Sequence, residues 1–250
     1  MKPVFIAFIA LFMFGVQGLF SDIPSSREER EGQELAEELR SAVPEEDVIL
    51  TGVLKIRSRK QAVTNDIPVI FRMVAGEPWE VIYETLPTSS TPPEKLIVRH
   101  HTDQPNQYLY ARAASPGAPL PALRELEPAE ANIPLAGSDF WLSDLGLEFL
   151  HWPIQRRLKG DMRLGRSCHV LESVNPAGGK VVRVKSYIDR ETGGVLIADA
   201  YDQNDRPVKE FSLSGSSFKK VNGRWQLEKM EIYNPQDRST TVLKFDLERN

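Results

Sequence analysis

A nucleophile and a base stand side by side at Cys168-His169, in the stretch SCHVLE, and further histidines occur at His100, His101 and His151. A working thiol–imidazole pair needs both side chains on one side of the backbone, because the ring must take the thiol proton. SCHVLE reads as a β-strand, in which neighbours project to opposite faces. The expectation is therefore a buried, inert thiol. His100-His101 in KLIVRHH has the same geometry, and neither the H-x-H nor the H-E-x-x-H spacing of a zinc site occurs. His151, beside Trp152 at a helix end, reads as a capping or packing residue. Gly178-Gly179 and Gly193-Gly194 are turn pairs, and no G-x-x-x-x-G-K-[ST] loop exists to cradle phosphate. Gly215-Ser216-Ser217 lacks the second glycine and the following helix of a nucleophile elbow. The basic run Gln155-Arg156-Arg157-Leu158-Lys159 could meet anionic headgroups, but a solvated strand or loop face explains it as well. One cysteine and four histidines exclude a disulfide framework and a multi-ligand zinc cluster. No catalytic centre, no metal and no cofactor is expected.

The elements that carry these residues come next. The chain has 250 residues, 41% hydrophobic and 26% charged, with a formal charge of −4. That balance describes an ordinary globular protein and speaks against a nucleic-acid partner, which calls for a basic surplus. Met1-Lys2 is followed by the apolar run Val4 to Phe14 and by Gly15-Val16-Gln17-Gly18. The run is too short for a membrane span of about 20 residues and suits the core of a signal peptide. Residues 1–18 are thus expected to be a cleavable export signal, and 19–250 a single domain working in the periplasm.

Residues 27–43, REEREGQELAEELRSAV, predict a helix with Leu35, Leu39 and Val43 on one face, stopped by Pro44. From Val48 onward the period changes to short β-branched and aromatic segments separated by turns. Residues 113–137 hold five prolines and read as a long connecting loop that cannot build a ladder. SDFWLSDLGLEFLHW (138–152) predicts one short helix or two helical turns, with Ser138 or Asp139 as the cap. The remainder is strand after strand. The expected fold class is α+β, mainly antiparallel β: a strongly curved, unclosed barrel (half-barrel) of about ten or eleven strands, with short helices covering the concave side.

Alternation along the strands says what the concave side holds. Phe71 and Met73 share a face of DIPVIFRMV, and Trp79, Val81 and Tyr83 share a face of WEVIYETL. Toward the C-terminus Trp225, Leu227 and Tyr233 fall on one side, with Met230 and Ile232 opposite. Both sides of the sheet are rich in apolar residues, yet only about two helices are available to cover them. The expectation is an apolar cleft that accepts a long hydrocarbon, lined by Phe71, Met73, Trp79, Val81, Tyr83, Trp225 and Leu227.

Three stretches then stand in a recognisable order: the D-F-x-x-x-D-L helix start at Asp139-Phe140 to Asp144-Leu145, the Tyr187-Ile188-Asp189-Arg190-Glu191-Thr192-Gly193 hairpin, and the ending K-x-x-x-G-R-W…M-x-I-x-N…T-x-L-x-F. Over about 136–250 the chain resembles the outer-membrane lipoprotein-sorting (LolA-like) proteins. The resemblance implies an incomplete barrel with a helical lid and a cavity for acyl chains of lipoproteins or other lipids. It also implies an inner-membrane transporter and an outer-membrane acceptor as partners, and no enzymatic activity. Arg57, Arg72 and Arg99 are the possible equivalents of the charged residue at the family's cavity mouth. Two other readings stay open: a non-catalytic envelope interaction or sensor module, or accessory protein of a lipid-exporting transporter, and a hydrolase built on His101, His151 or His169.

Overall fold

The computed structural model describes residues 26–59, 63–213, 217–221 and 224–247. The expected signal segment 1–18, the Gly215-Ser216 pair and the Asn222-Gly223 turn lie outside these residues. The first element is helix α1 (Arg27–Arg40). Ser26 caps it, its hydroxyl accepting from the Glu29 N–H at 3.2 Å, and Glu28 and Glu29 complement the positive end of the helix dipole. Val43 falls beyond the last turn and is exposed, so the expected third member of the stripe does not pack. The buried face is made instead by Gly32, Leu35 and Ala36.

Six strands follow: β1 (Val48–Ser58), β2 (Val63–Val74), β3 (Trp79–Thr85), β4 (Glu94–His100), β5 (Gln107–Arg112) and β6 (Arg124–Leu126). After a helical passage come β7 (Ile154–Arg163), β8 (Arg166–Val174), β9 (Arg183–Asp189), β10 (Val195–Tyr201) and β11 (Pro207–Ser212), the hairpin β12 (Phe218–Val221) and β13 (Arg224–Leu227), then β14 (Lys229–Asn234) and β15 (Ser239–Phe245). Thirteen of these form one antiparallel sheet in the order β6-β5-β4-β3-β2-β1-β15-β14-β11-β10-β9-β8-β7, while β12 and β13 pair only with each other. Short hairpins make sequence neighbours into spatial neighbours in each half. The two halves meet where β1 pairs with β15, from Gly52 opposite Phe245 to Ser58 opposite Ser239. The sheet is large, curved and unclosed; its outer strands, β6 and β7, do not pair with one another.

Fifteen strands exceed the expected ten or eleven for identifiable reasons. The proline-rich passage does contribute a rung: Arg124–Leu126 falls between Pro121 and Pro128, keeps its N–H groups and pairs with β5 at the sheet's margin, where proline neighbours are tolerated. The stretch read as one strand, GRWQLEKMEIYN, breaks at Glu228 into β13 and β14. That break changes the alternation, so Leu227 and Met230 come to the same face, contrary to the expected split. A bulge between Val195 and Ile197 does the same in β10.

The inward face packs two apolar clusters. One joins Leu54, Ile67, Phe71, Tyr83, Leu96 and Leu243 to Leu135, Phe140, Leu142 and Leu145 of the helical passage. The other joins Leu171, Val184, Ile188, Ala198 and Ala200 to Leu35 and Ala36 of α1 and to Phe149 and Leu150. α1 lies on β7 so closely that a Cβ on Gly32 would sit 2.5 Å from the Gln155 carbonyl oxygen and 2.6 Å from the Arg156 nitrogen. Alanine gains about 1 kcal/mol over glycine inside a helix, but a clash with strand backbone cannot be relieved by a side-chain rotation and costs about 1–3 kcal/mol. Gly32→Ala is therefore expected to lower stability and Gly32→Val to lower it further, read as falling midpoints of thermal unfolding; a rise for either would show that α1 is free to lift off β7.

Candidate functional site

The helical passage between β6 and β7 comprises 3₁₀ turns at Pro128–Ala131, Leu135–Gly137 and Glu148–His151 and the short helix α2 (Leu142–Leu145). Irregular backbone buried on an apolar sheet leaves N–H and C=O groups without water. Polar side chains supply their partners. Glu94 of β4, fully buried, accepts from the Ala136 N–H at 2.8 Å and from the Tyr110 hydroxyl at 2.7 Å. Asp139 accepts from the hydroxyls of Ser239 at 2.5 Å and Thr241 at 2.8 Å on β15, while its own N–H donates to the Thr241 oxygen at 2.9 Å. Asp144 accepts from the Trp141 N–H at 2.7 Å, which caps α2, and also from the Lys209 ammonium of β11. The expected caps Ser138 and Asp139 do other work: Ser138 takes the Phe140 N–H, and Asp139 reaches across to β15. On the far side Asn106 donates to the Gly146 carbonyl at 2.7 Å, the Tyr108 hydroxyl to Glu148 at 2.8 Å, and the buried Gln155 amide to the carbonyls of Phe149 and Trp152, each at 2.9 Å.

The tethers from Glu94 and Asp139 hold the first part of the passage over the end of the inward face that carries Ser58, Thr85, Glu94, Ser239 and Thr241. The other end is apolar and unfilled. There a cavity of about 400 Å³ opens between the two clusters. Its walls are Phe71 and Met73 of β2, Trp79, Val81 and Tyr83 of β3, Met230 and Ile232 of β14, Ala198 and Ala200 of β10, Lys209 and Phe211 of β11, with Leu145, Leu147, Phe149 and Leu150 from the passage and Leu39 from α1. Phe71 meets Tyr83 edge-on at 5.3 Å and Phe245 at 5.2 Å, which stiffens that wall. Among the residues expected to line a cleft, Phe71, Met73, Trp79, Val81, Tyr83 and Leu227 all face this cavity; the Trp225 side chain lies outside what the structure describes.

Arg57, Arg72 and Arg99 do not reach it. Each sits one residue from an inward-facing neighbour (Ile56, Phe71 and Met73, Val98 and His100), so strand alternation turns it to the opposite face. Arg99 is held there by Glu80 at 2.6 Å. The cationic side chain in the wall is Lys209, which sequence reasoning missed: PVKEFSLS gives no sign that a lysine points inward with phenylalanine and leucine. Burial pushes its ammonium down to about 8, and Asp144 opposes that fall. Cys168 and His169 behave as strand neighbours: the thiol is buried in a small cluster with Val170, Tyr187 and Leu196, while the His169 ring meets the Arg157 guanidinium at 2.9 Å. Among the described residues no group of three or more His, Cys, Asp or Glu side chains is placed to hold a metal ion.

Comparison with known proteins fits this architecture. A DUF1329 family protein from Desulfovibrio piger superposes with a TM-score of 0.65 at 17% identity, over 88% of this chain and 92% of that one. A domain described as an outer membrane lipoprotein-sorting protein, from Vibrio parahaemolyticus, gives 0.68 at 16% identity over the same shares of the two chains. A LolA superfamily protein from Nitrosomonas europaea gives 0.50 at 12% identity, over 89% of this chain and 93% of that one. A family model described as "Uncharacterized protein" matches residues 90–248, more than half of the chain. The chain belongs to the family of this model and shares the LolA-like fold of these neighbours. No curated protein matches it, and identities this low carry the fold and not the task.

Imidazoles gather near the margin of the cavity, with His100 in its wall. His100 lies on Trp79, ring centres 3.9 Å apart and nearly parallel. His151 closes the last turn of the passage, and Arg40 at the end of α1 donates to the Leu150 carbonyl at 2.5 Å. Burial, then the positive charge available to His151 and His101, pushes His100 down to about 4; burial, then Arg40 and His101, does the same to His151. Glu37 and Asp103 stand near Arg40, and Asn106 and Glu148 near the histidines, without restoring them. The folded values lie below the free value of 6.5, so the unfolded chain binds more protons between them and stability falls as pH drops from about 6.5 toward 4. Thermal melts at pH 7, 6, 5 and 4.5 are expected to show this loss, and the double variant His100→Phe/His151→Phe a smaller one. An equal acid loss in both proteins would locate the sensitivity elsewhere.

Proposed function

We propose that this LolA-like protein is a periplasmic carrier or chaperone that receives the acyl chains of lipoproteins or other lipids in the cavity between its two core clusters. The supporting observation is that cavity: its walls are almost wholly side chains of aliphatic and aromatic residues, and its volume falls within the range of about 300–1,000 Å³ typical of small-ligand sites. Each methylene moved there from water gains about 0.8 kcal/mol, so a long chain would bind firmly without any directional bond. Residues 128–151, with α1, cover the concave side in this reading and leave the apolar end for the ligand. The binding is non-covalent and needs no cofactor. Delivery from an inner-membrane transporter to an outer-membrane acceptor, after export by a cleaved signal at residues 1–18, is the wider setting that the family likeness supports.

Native mass spectrometry of gently purified protein is expected to show acyl-bearing molecules bound, and an uncharged fluorescent naphthylamine should enter the delipidated protein and be displaced by acyl lipids. Ala200 faces Lys209 across β10 and β11 and Ala198 faces Phe211, so both small side chains set the width of the cavity. Ala198→Phe and Ala200→Phe are expected to weaken probe binding at least tenfold, while overpacking lowers stability by about 1–3 kcal/mol. Folded variants that bind the probe as well as the parent would remove the cavity from the function.

A further inference from the structure

Two charged side chains, Lys209 and Asp144, stand in the wall of an otherwise almost wholly apolar cavity. Lys209 is 2% exposed. Its ammonium donates to the Asp144 carboxylate and lies 3.3 Å from the centre of the Trp141 ring. An ammonium has three N–H donors. The carboxylate takes one and the ring attracts the charge from its face; among the described residues no further acceptor bonds it. Apolar side chains in place of a buried ion pair are often neutral or stabilising, so packing alone gives no reason for a lysine here. The pair as a whole carries no net charge. It can therefore offer a hydrogen-bond donor to a neutral acceptor, whereas an incoming carboxylate would face that of Asp144 at low dielectric, where like charges repel strongly.

We propose that Lys209, neutralised by Asp144, donates to the carbonyl oxygen of a bound acyl group, so that the cavity selects neutral acyl esters and amides over free fatty acids. This rests on the acyl-binding reading above and names the chemical class of its ligand. Ester- and amide-linked chains present one carbonyl next to the first methylenes of the tail, which lets the tail lie among Phe211, Ile232 and Met230 while the carbonyl meets Lys209. The free acid has the same tail and the wrong charge.

The test displaces the uncharged naphthylamine from the full chain at pH 7 with three ligands of one tail length: dodecanoyl glycerol, its dodecyl ether, which lacks only the carbonyl oxygen, and dodecanoate. A hydrogen bond from a charged donor predicts about tenfold tighter binding of the ester than of the ether, with dodecanoate weakest. Lys209→Met is expected to bring the ester-to-ether ratio to about one. Asp144→Asn keeps an oxygen to cap α2 but removes both the carboxylate that repels an anion and the charge that keeps Lys209 protonated; the buried amine then takes up its proton together with an anionic guest, and the order is expected to reverse so that dodecanoate binds tighter than the ester. That reversal decides the matter even if Lys209→Met fails to fold. Equal binding of ester and ether by the parent, a ratio that Lys209→Met leaves unchanged, or an unreversed order in Asp144→Asn overturns this inference while leaving the cavity reading intact. If none of the three ligands displaces the probe, the acyl-binding reading falls and this inference with it.

Discussion

Buried irregular backbone must find hydrogen-bond partners inside the protein, and that requirement organises this molecule. Residues 135–151 run across the inward face without forming one long helix that would satisfy itself. Their partners come from side chains set in the sheet or in the passage itself: Glu94, Asp139 with Ser239 and Thr241, Asn106, Gln155. An unmet buried group would cost about 1–3 kcal/mol, so these contacts fix where the passage lies. They anchor the passage at both ends of the concave face, Glu94 and Asp139 at one and Asn106 at the other. Between these anchor points the passage turns Leu145, Leu147, Phe149 and Leu150 toward the apolar part of that face without filling it.

An unfilled apolar volume is a departure from ordinary packing, since protein interiors are as dense as organic crystals. Here the departure has a local cause. Where the walls from β2 and β3 present aromatic and long aliphatic side chains, β10 answers with Ala198 and Ala200, and the bulge at Val195–Ile197 turns Leu196 outward toward Tyr187 and Cys168. Large residues on one side thus meet small ones on the other, and the two clusters remain distinct, with Phe211 in contact with both. The stability forgone by leaving contacts unmade is what a guest chain could regain.

Much of this was legible in the residues. Two-residue alternation in DIPVIFRMV and WEVIYETL put Phe71, Met73, Trp79, Val81 and Tyr83 on one face, and the structure keeps them there, because uninterrupted strands preserve parity. Parity failed where the ladder is broken: at Glu228, which brings Leu227 to the side of Met230, and at the β10 bulge. The inward lysine was illegible for a different reason. Nothing in Pro207 to Ser212 separates a lysine facing solvent from one facing Asp144, since the partner is 65 residues away in sequence. Likewise the tight seat of α1 on β7 depends on Gly32 meeting Gln155, a contact that apolar periodicity does not encode.

The seam between β1 and β15 joins the first strand of the sheet to the last. Every other rung of the great sheet, apart from the crossing of β12 and β13 between β11 and β14, links segments that follow one another along the chain. Each half can therefore assemble early from nearby pieces, but its middle strands remain raw margins until the final strand arrives. Pairing over such a span is slow, and open margins invite pairing with foreign chains. In a polypeptide built this way the last strand to be made is the one that zips the two half-sheets together and closes both margins at once.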